Sequence, residues 1–137
     1  MDERFLATYR RASQVGDIDT LTTTLAPDVE LVSPVSRHMV FRGRDDVRVV
    51  LTAVYRSLRG WGWHAVTGEG GERVLAGEGR VGPWRLEDTM AVDLAEDGRI
   101  RRLRPSLRPV LGAGLFTAVL TARLGRHPGV VWRAVRT

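Results

Sequence analysis

Tyr9-Arg10-Arg11-Ala12-Ser13-Gln14-Val15-Gly16-Asp17 is the most informative stretch of this chain, and seventeen residues beyond Gly16 comes Ser33-Pro34-Val35. Tyr9 belongs to a stripe of Phe5, Leu6, Tyr9, Ala12 and Ser13, with Arg4, Arg10 and Arg11 largely opposite. That spacing predicts an amphipathic helix over residues 2–15 with its apolar face toward the body. Gly16 ends it, and the Asp17 side chain is suited to cap a second helix from Ile18 to Leu25. Ala26-Pro27-Asp28 is expected to close that helix. Val29-Glu30-Leu31-Val32-Ser33 then alternates as a strand, with Val29, Leu31 and Ser33 on one face.

Beyond this opening, Arg42-Gly43-Arg44-Asp45-Asp46 starts a third helix, its carboxylates in the first turn where the helix dipole favours them. Val47, Val50, Leu51, Val54, Tyr55 and Leu58 give it a core face, and Gly60 stops it. Four strand-like runs follow, Trp61–Thr67, Arg73–Val81, Trp84–Leu94 and Arg99–Leu107, separated by Gly-rich turn chemistry. The order ααβαββββ predicts an α+β domain with three helices packed on one curved antiparallel sheet. Val110–Leu124 is almost wholly apolar yet too short to span a bilayer, so a helix buried against the sheet or a partner is expected. The basic tail from Gly125 to Thr137, with Pro128 and Gly129, reads as loosely ordered. Residues 1–137 form one domain on this reading.

The ruler from Tyr9 through Gly16-Asp17 to Pro34-Val35 resembles the start of the NTF2-like family of cystatin-like α+β cones, which includes SnoaL-like and ketosteroid-isomerase-like proteins. The resemblance covers residues 2 to about 108. It implies a cone-shaped pocket, with Tyr9 donating a hydrogen bond to a developing enolate oxygen. It also implies a protonated aspartate on a later strand, which here falls on Asp88. Where the isomerases place their proton-abstracting aspartate, this chain has Ser33, so the usual dienol isomerisation is not expected. The limonene-epoxide-hydrolase branch is excluded, because that site uses an Asn and the chain contains none.

Asp88 also stands out without the resemblance. In Trp84-Arg85-Leu86-Glu87-Asp88-Thr89-Met90-Ala91-Val92 the even positions share a face, and Asp88 is the lone carboxyl among apolar neighbours. Burial there would raise its pKa toward neutrality. The alternative is pairing with an internal Arg. For Tyr9 the alternative is a core phenol bonded to a backbone carbonyl, and for Ser33 a backbone-satisfied residue beside a proline. A serine hydroxyl cannot abstract a carbon acid's proton unaided, so His38 or His64 is a candidate replacement base. His127 is expected at the surface. Val50, Trp63, Trp84, Met90 and Leu103 are expected to line an apolar pocket, with Ser33 at its wall.

Function classes narrow accordingly. With no Cys there is no thiol nucleophile, no disulfide and no Cys-ligated metal. No His pair has metal-ligand spacing and no Gly-rich phosphate loop is present, so no cofactor and no metal are expected. The net charge of +5 is uneven: residues 1–97 hold 12 Arg and 16 acids, whereas residues 98–137 hold 9 Arg and no acid. Nucleic acid is not expected, since no recognition motif or aromatic pattern accompanies the charge. The acidic N-terminus lacks a secretory signal, which suggests a cytoplasmic protein. The resemblance implies a small-molecule-binding SnoaL-like protein, an isomerase or cyclase acting on an apolar polycyclic ketone through an oxyanion hole lacking the usual base. The alternative is a non-catalytic ligand-binding or dimerisation module. A homodimer is the expected assembly, with membrane-surface attachment through the apolar, basic C-terminus as a third reading.

Overall fold

In the computed structural model, which describes residues 3–108 and 110–135 (backbone only over 110–116), helix α1 spans Arg4–Val15 and buries Leu6, Tyr9, Ala12 and Ser13. Gly16 ends it in the left-handed region at φ 75°, where a side chain would be strained. Asp17 caps α2, Ile18–Thr23, accepting the Thr20 backbone N–H at 3.2 Å and the Thr20 hydroxyl at 2.6 Å. The second helix is shorter than the spacing predicts, and β1 begins at Leu25. Thr22, Thr23 and Thr24 each turn the hydroxyl back onto a helix carbonyl, at 2.6–2.7 Å. Such β-branched residues favour leaving the helix. Pro27, expected to sit outside regular structure, lies inside β1, Leu25–Val32, where pairing is irregular between Leu25 and Glu30 and no ladder N–H is required of it.

The remaining elements are β2 (Val40–Arg42), α3 (Arg44–Ser57), β3 (Arg59–Thr67), β4 (Glu72–Val81), β5 (Trp84–Leu94), β6 (Ile100–Arg104), β7 (Leu107–Arg108), α4 (Val110–Leu124) and α5 (Pro128–Val135). They form an α+β fold with one curved sheet in the order β2-β1-β6-β5-β4-β3, and β7 pairs with β5. The sheet is antiparallel except for β1 and β6, which run parallel. That one pair departs from the all-antiparallel expectation and joins segments far apart in sequence.

Alternation places Leu75 of β4 and Leu86, Asp88, Met90, Val92 of β5 inward, against Leu6 and Tyr9 of α1 and Val47, Val50 and Leu51 of α3. Burying each of these aliphatic side chains contributes roughly 1.5–3 kcal/mol. The outer face is polar and cross-braced, with Glu30 accepting from both Arg42 and Arg102, and Arg104 near Asp93.

The C-terminal third packs on the same body. Helix α4 lies against α3, β4, β5 and β7, and its Val119 and Leu120 pack on Val81 and Leu86. Over 117–124 its exposed residues are Ala118, Thr121, Ala122 and Arg123, a small and partly polar surface. The expected all-round apolar patch partly falls on residues 110–116, whose side chains lie outside the described residues. The tail contains a helix rather than a loose end. Pro128 opens α5, where its missing N–H costs nothing, and Val130 and Ala134 are buried one turn apart near β2. Arg133 fixes it to α3 through both carboxylate oxygens of Asp46, at 2.7 and 2.8 Å. Several of the late arginines therefore meet acids of their own chain. No helix of the described residues is long and apolar enough to cross a membrane.

Candidate active site

Between α3, α4 and the inner face of the sheet lies a cavity of about 190 Å³. Its walls are mostly apolar, with Phe41, Val50, Leu51, Leu86, Met90 and Leu124 among them. Ser33, Tyr55, Asp88, Thr117 and Thr121 bring hydroxyl or carboxyl groups to it, and Trp61 an indole. No histidine, arginine or second carboxylate lines it among the described residues. His64 faces outward and His38 is exposed on the 33–39 loop, so neither stands where a replacement base would be needed. His127 is exposed as well.

The phenol at the cavity wall is Tyr55, and not Tyr9 as expected. Tyr9 is 0% exposed and stands behind, with its hydroxyl 2.7 Å from that of Tyr55 and the rings edge-on at 73°. Both tyrosines lie on inward helical stripes, but α3 borders the cavity while α1 packs one layer back, so depth reverses their roles. Burial pushes both phenols well above their usual pKa, and the nearby Asp88 charge adds to the rise. Both are neutral donors at any working pH.

Asp88 sits at mid-strand in β5, opposite Gly77 of β4 and Leu107 of β7. It is 9% exposed, and no arginine neutralises it. The Ser106 backbone N–H, also directed at the Thr89 carbonyl at 3.1 Å, donates to its Oδ1 at 3.1 Å. Burial lifts the carboxyl to about 7, and that single backbone hydrogen bond pulls the other way. Near neutral pH the group switches between donor and acceptor in a cavity that the neutral Tyr55 phenol also lines. Such a pair can hydrogen-bond a ligand oxygen in a low-dielectric setting, where the bond is stronger than in water.

Four further expectations have definite placements. Ser33 borders the cavity, but its hydroxyl already accepts the Val35 N–H at 3.1 Å. Val50 and Met90 are wall residues. Trp63 is not: its indole N–H donates to Ser13 Oγ at 2.8 Å and its backbone N–H to Gln14 Oε1 at 2.8 Å, which ties β3 to α1. Trp61, one pleat earlier on the same inner face, takes the wall position. Trp84 is 44% exposed, because it follows the Gly82-Pro83 turn and lies beyond the covered part of the sheet. Leu103 is fully buried in the main core, away from the cavity.

Tyr55 and the α4 residues Thr117, Leu120 and Thr121 are wall residues that the sequence reading did not select. For Tyr55 a signal existed, since a phenol on an otherwise apolar inward stripe is the same pattern that singled out Tyr9. For α4 none did, because its position over the cavity follows from long-range packing.

No protein-family model matches the sequence, and no curated protein matches it. Solved structures do. An uncharacterized protein from Silicibacter pomeroyi DSS-3 with a cystatin-like fold is 24% identical, with TM-score 0.88 over 96% of this chain and 94% of that one. An NTF2-like protein of unknown function from Burkholderia xenovorans LB400 is 16% identical, with TM-score 0.65 over 80% of this chain and 88% of its own. The chain has the NTF2-like, cystatin-like fold. A steroid delta-isomerase from Pseudomonas aeruginosa is also similar, at 24% identity and TM-score 0.82 over 91% of this chain and 92% of that one. Identities this low leave the chemistry of this NTF2-like chain to its own residues, and fold alone does not assign an activity.

Proposed function

We propose that the protein binds an apolar, oxygen-bearing ring compound in the cavity, with Tyr55 and Asp88 holding the oxygen and Tyr9 supporting Tyr55 from behind. The observation that carries this is Asp88, a nearly buried carboxyl at the wall of an apolar cavity with no cation beside it. A polar group kept there at a cost in stability needs a polar partner. The likeness to a steroid delta-isomerase supports choosing a ketone as that partner. At about 190 Å³ the cavity is smaller than the roughly 300–1,000 Å³ of common ligand sites. One or two fused rings therefore suit it better than a four-ring steroid held whole.

With Asp88 neutral the pair would polarise a carbonyl toward its enol, the first step of an isomerase or cyclase. Ser33 leaves no second carboxyl to take the proton from carbon, which favours the alternative of a non-catalytic ligand carrier. Titration with 1-tetralone, a two-ring ketone, tests the shared part of both readings. At about pH 5, where Asp88 is neutral and donates, Tyr55→Phe and Asp88→Leu should each weaken binding about 3- to 10-fold, the worth of one hydrogen bond. Unchanged affinity in both variants would refute the oxygen-binding pair. A homodimer is proposed on the exposed Trp132 and Val135 of α5; sedimentation as a monomer at every concentration would refute it.

A further inference from the structure

Arg59, Arg80 and Arg85 stand in one row across three neighbouring strands. Arg59 of β3 is opposite Arg80 of β4, which is in turn opposite Arg85 of β5. Opposed residues lie about 4.5–5.5 Å apart between Cα atoms. All three are exposed, and Arg80 and Arg85 adjoin the buried Val81 and Leu86, so the row lies on the outer face of the sheet, away from the cavity. With Gly60, Glu78 and Gly79 these arginines line an open cleft of about 340 Å³. Like charges directly opposite one another destabilise a sheet, and this row places three together.

Arg59 reaches the outer face through a bulge. Trp61, two residues later, faces the core, and plain alternation would turn Arg59 inward as well. Instead the register shifts, with 59 to 62 on β3 lying against 80 to 78 on β4. Gly60, at φ 61°, supplies the left-handed residue that such a bulge needs. Gly79 supplies the room, since a Cβ there would stand 3.0 Å from the Arg59 carbonyl oxygen and 2.9 Å from Trp61 Cε3. Both glycines border the cleft, so the bulge and the arginine row are one construction.

One acid answers the row. Glu78 pairs with Arg85, whose Nε lies 3.2 Å from its Oε2. Glu87, opposite Glu78, has Arg108 across from it on its other side. Among the described residues no hydrogen bond or ion pair engages the side chain of Arg59 or Arg80. We propose that this cleft binds the phosphate group of a small phosphate monoester, with Arg59 and Arg80 holding its oxygens. Guanidinium forks pair with phosphate oxygens through two parallel hydrogen bonds. Two of them match the charge of roughly −1.5 to −2 that a phosphate monoester carries near neutral pH. The next row, Glu78 and Glu87, is acidic, so the cleft suits a compact group and repels a long polyanion. The site is separate from the cavity and goes beyond the ring-compound reading.

The test is a titration of ¹⁵N-labelled protein with phenyl phosphate, at an ionic strength held constant with sodium chloride. The Gly60 backbone amide should shift saturably in the unmutated protein, and inorganic phosphate should compete. Arg59→Gln and Arg80→Gln should each weaken binding about 5- to 10-fold. Arg102→Gln, which removes the same charge elsewhere on the outer face, should change it less than 2-fold. Equal losses in all three variants would reduce the effect to net charge and overturn the proposal. So would a Gly60 amide that does not saturate, or affinity unchanged by both cleft substitutions. A second measurement needs no ligand: relief of repulsion in Arg80→Gln should raise the melting temperature at low salt by about 1–4 °C. A lower melting temperature in that variant would mean that Arg80 is already held by its own chain, which also overturns the proposal. None of these substitutions touches the cavity, so a failure here leaves the cavity reading intact.

Discussion

Two tryptophans on one strand face, Trp61 and Trp63, mark two kinds of region. Both N–H groups of Trp63 are matched: its indole donates to Ser13, its backbone to Gln14, and Ser13 in turn to the Arg10 carbonyl. Around Trp61 the indole N–H lacks a partner, and Asp88 receives only one shared backbone N–H. The first region closes the fold by joining α1 to β3. The second keeps unspent hydrogen-bonding capacity inside an apolar cavity, and folded proteins rarely tolerate that without a use for it. On the proposed function, Asp88 is the group of the second region that a ligand meets, whereas the bonds of Trp63 build the cone.

The largest expected effect comes from adding capacity to the second region. Ser33→Asp installs a carboxylate at the cavity wall, and a positioned base contributes about 10²–10⁴-fold to proton transfer. Conversion of 3-cyclohexen-1-one to its conjugated isomer should be close to background in the unmutated protein and rise by that order in the variant. Robust turnover without the substitution would mean that Asp88 or another group already serves as the base.

Removing capacity from the same region should stabilise the protein, with a definite pH dependence. Burial raises the Asp88 carboxyl from 3.8 to about 7 on folding. Its favourable share of stability is thus intact below the unfolded value, falls as pH rises between the two, and is gone above the folded one. Asp88→Asn removes that slope. Denaturant melts should show the variant more stable by a few kcal/mol at about pH 8, with the gain vanishing below about pH 4. A gain equal at both pH values would place the cause elsewhere.

The first region should respond in the opposite sense. Ser13→Ala leaves the Trp63 N–H without a partner and should cost about 1–3 kcal/mol at every pH. A thermal melt checks it, and a loss confined to one end of the pH range would contradict the distinction between the two regions. The smallest effect is expected outside both. Glu30→Gln on the outer sheet face removes exposed pairs with Arg42 and Arg102 and should cost less than about 1 kcal/mol.

Much of the fold was legible in the sequence because its signals are local. The Gly16 stop, the Asp17 cap and the inward alternation of Leu86, Asp88, Met90 and Val92 each depend on a few neighbouring residues, and all are present. The site was less legible, because membership of a cavity wall depends on depth. Periodicity puts Tyr9 and Tyr55 inward alike, and Trp61 and Trp63 alike, yet in each pair one borders the cavity and the other is tied into the core. The parallel pairing of β1 with β6 and the placement of α4 rest on contacts between distant segments. Pro128 and Gly129 read as breakers, although a proline at a helix start is favourable.

The central claim is that Asp88 meets a ligand oxygen, and the affinity of 1-tetralone measured by calorimetry from about pH 5 to about pH 9 tests it most directly. The neutral acid donates to the carbonyl, whereas the carboxylate repels it. Affinity should therefore be constant at the acid end, fall about 5- to 10-fold through a midpoint near 7 and level off above it, while Asp88→Asn gives a flat profile. Parallel profiles for the two proteins, flat or sloping alike, would contradict a ligand oxygen at Asp88.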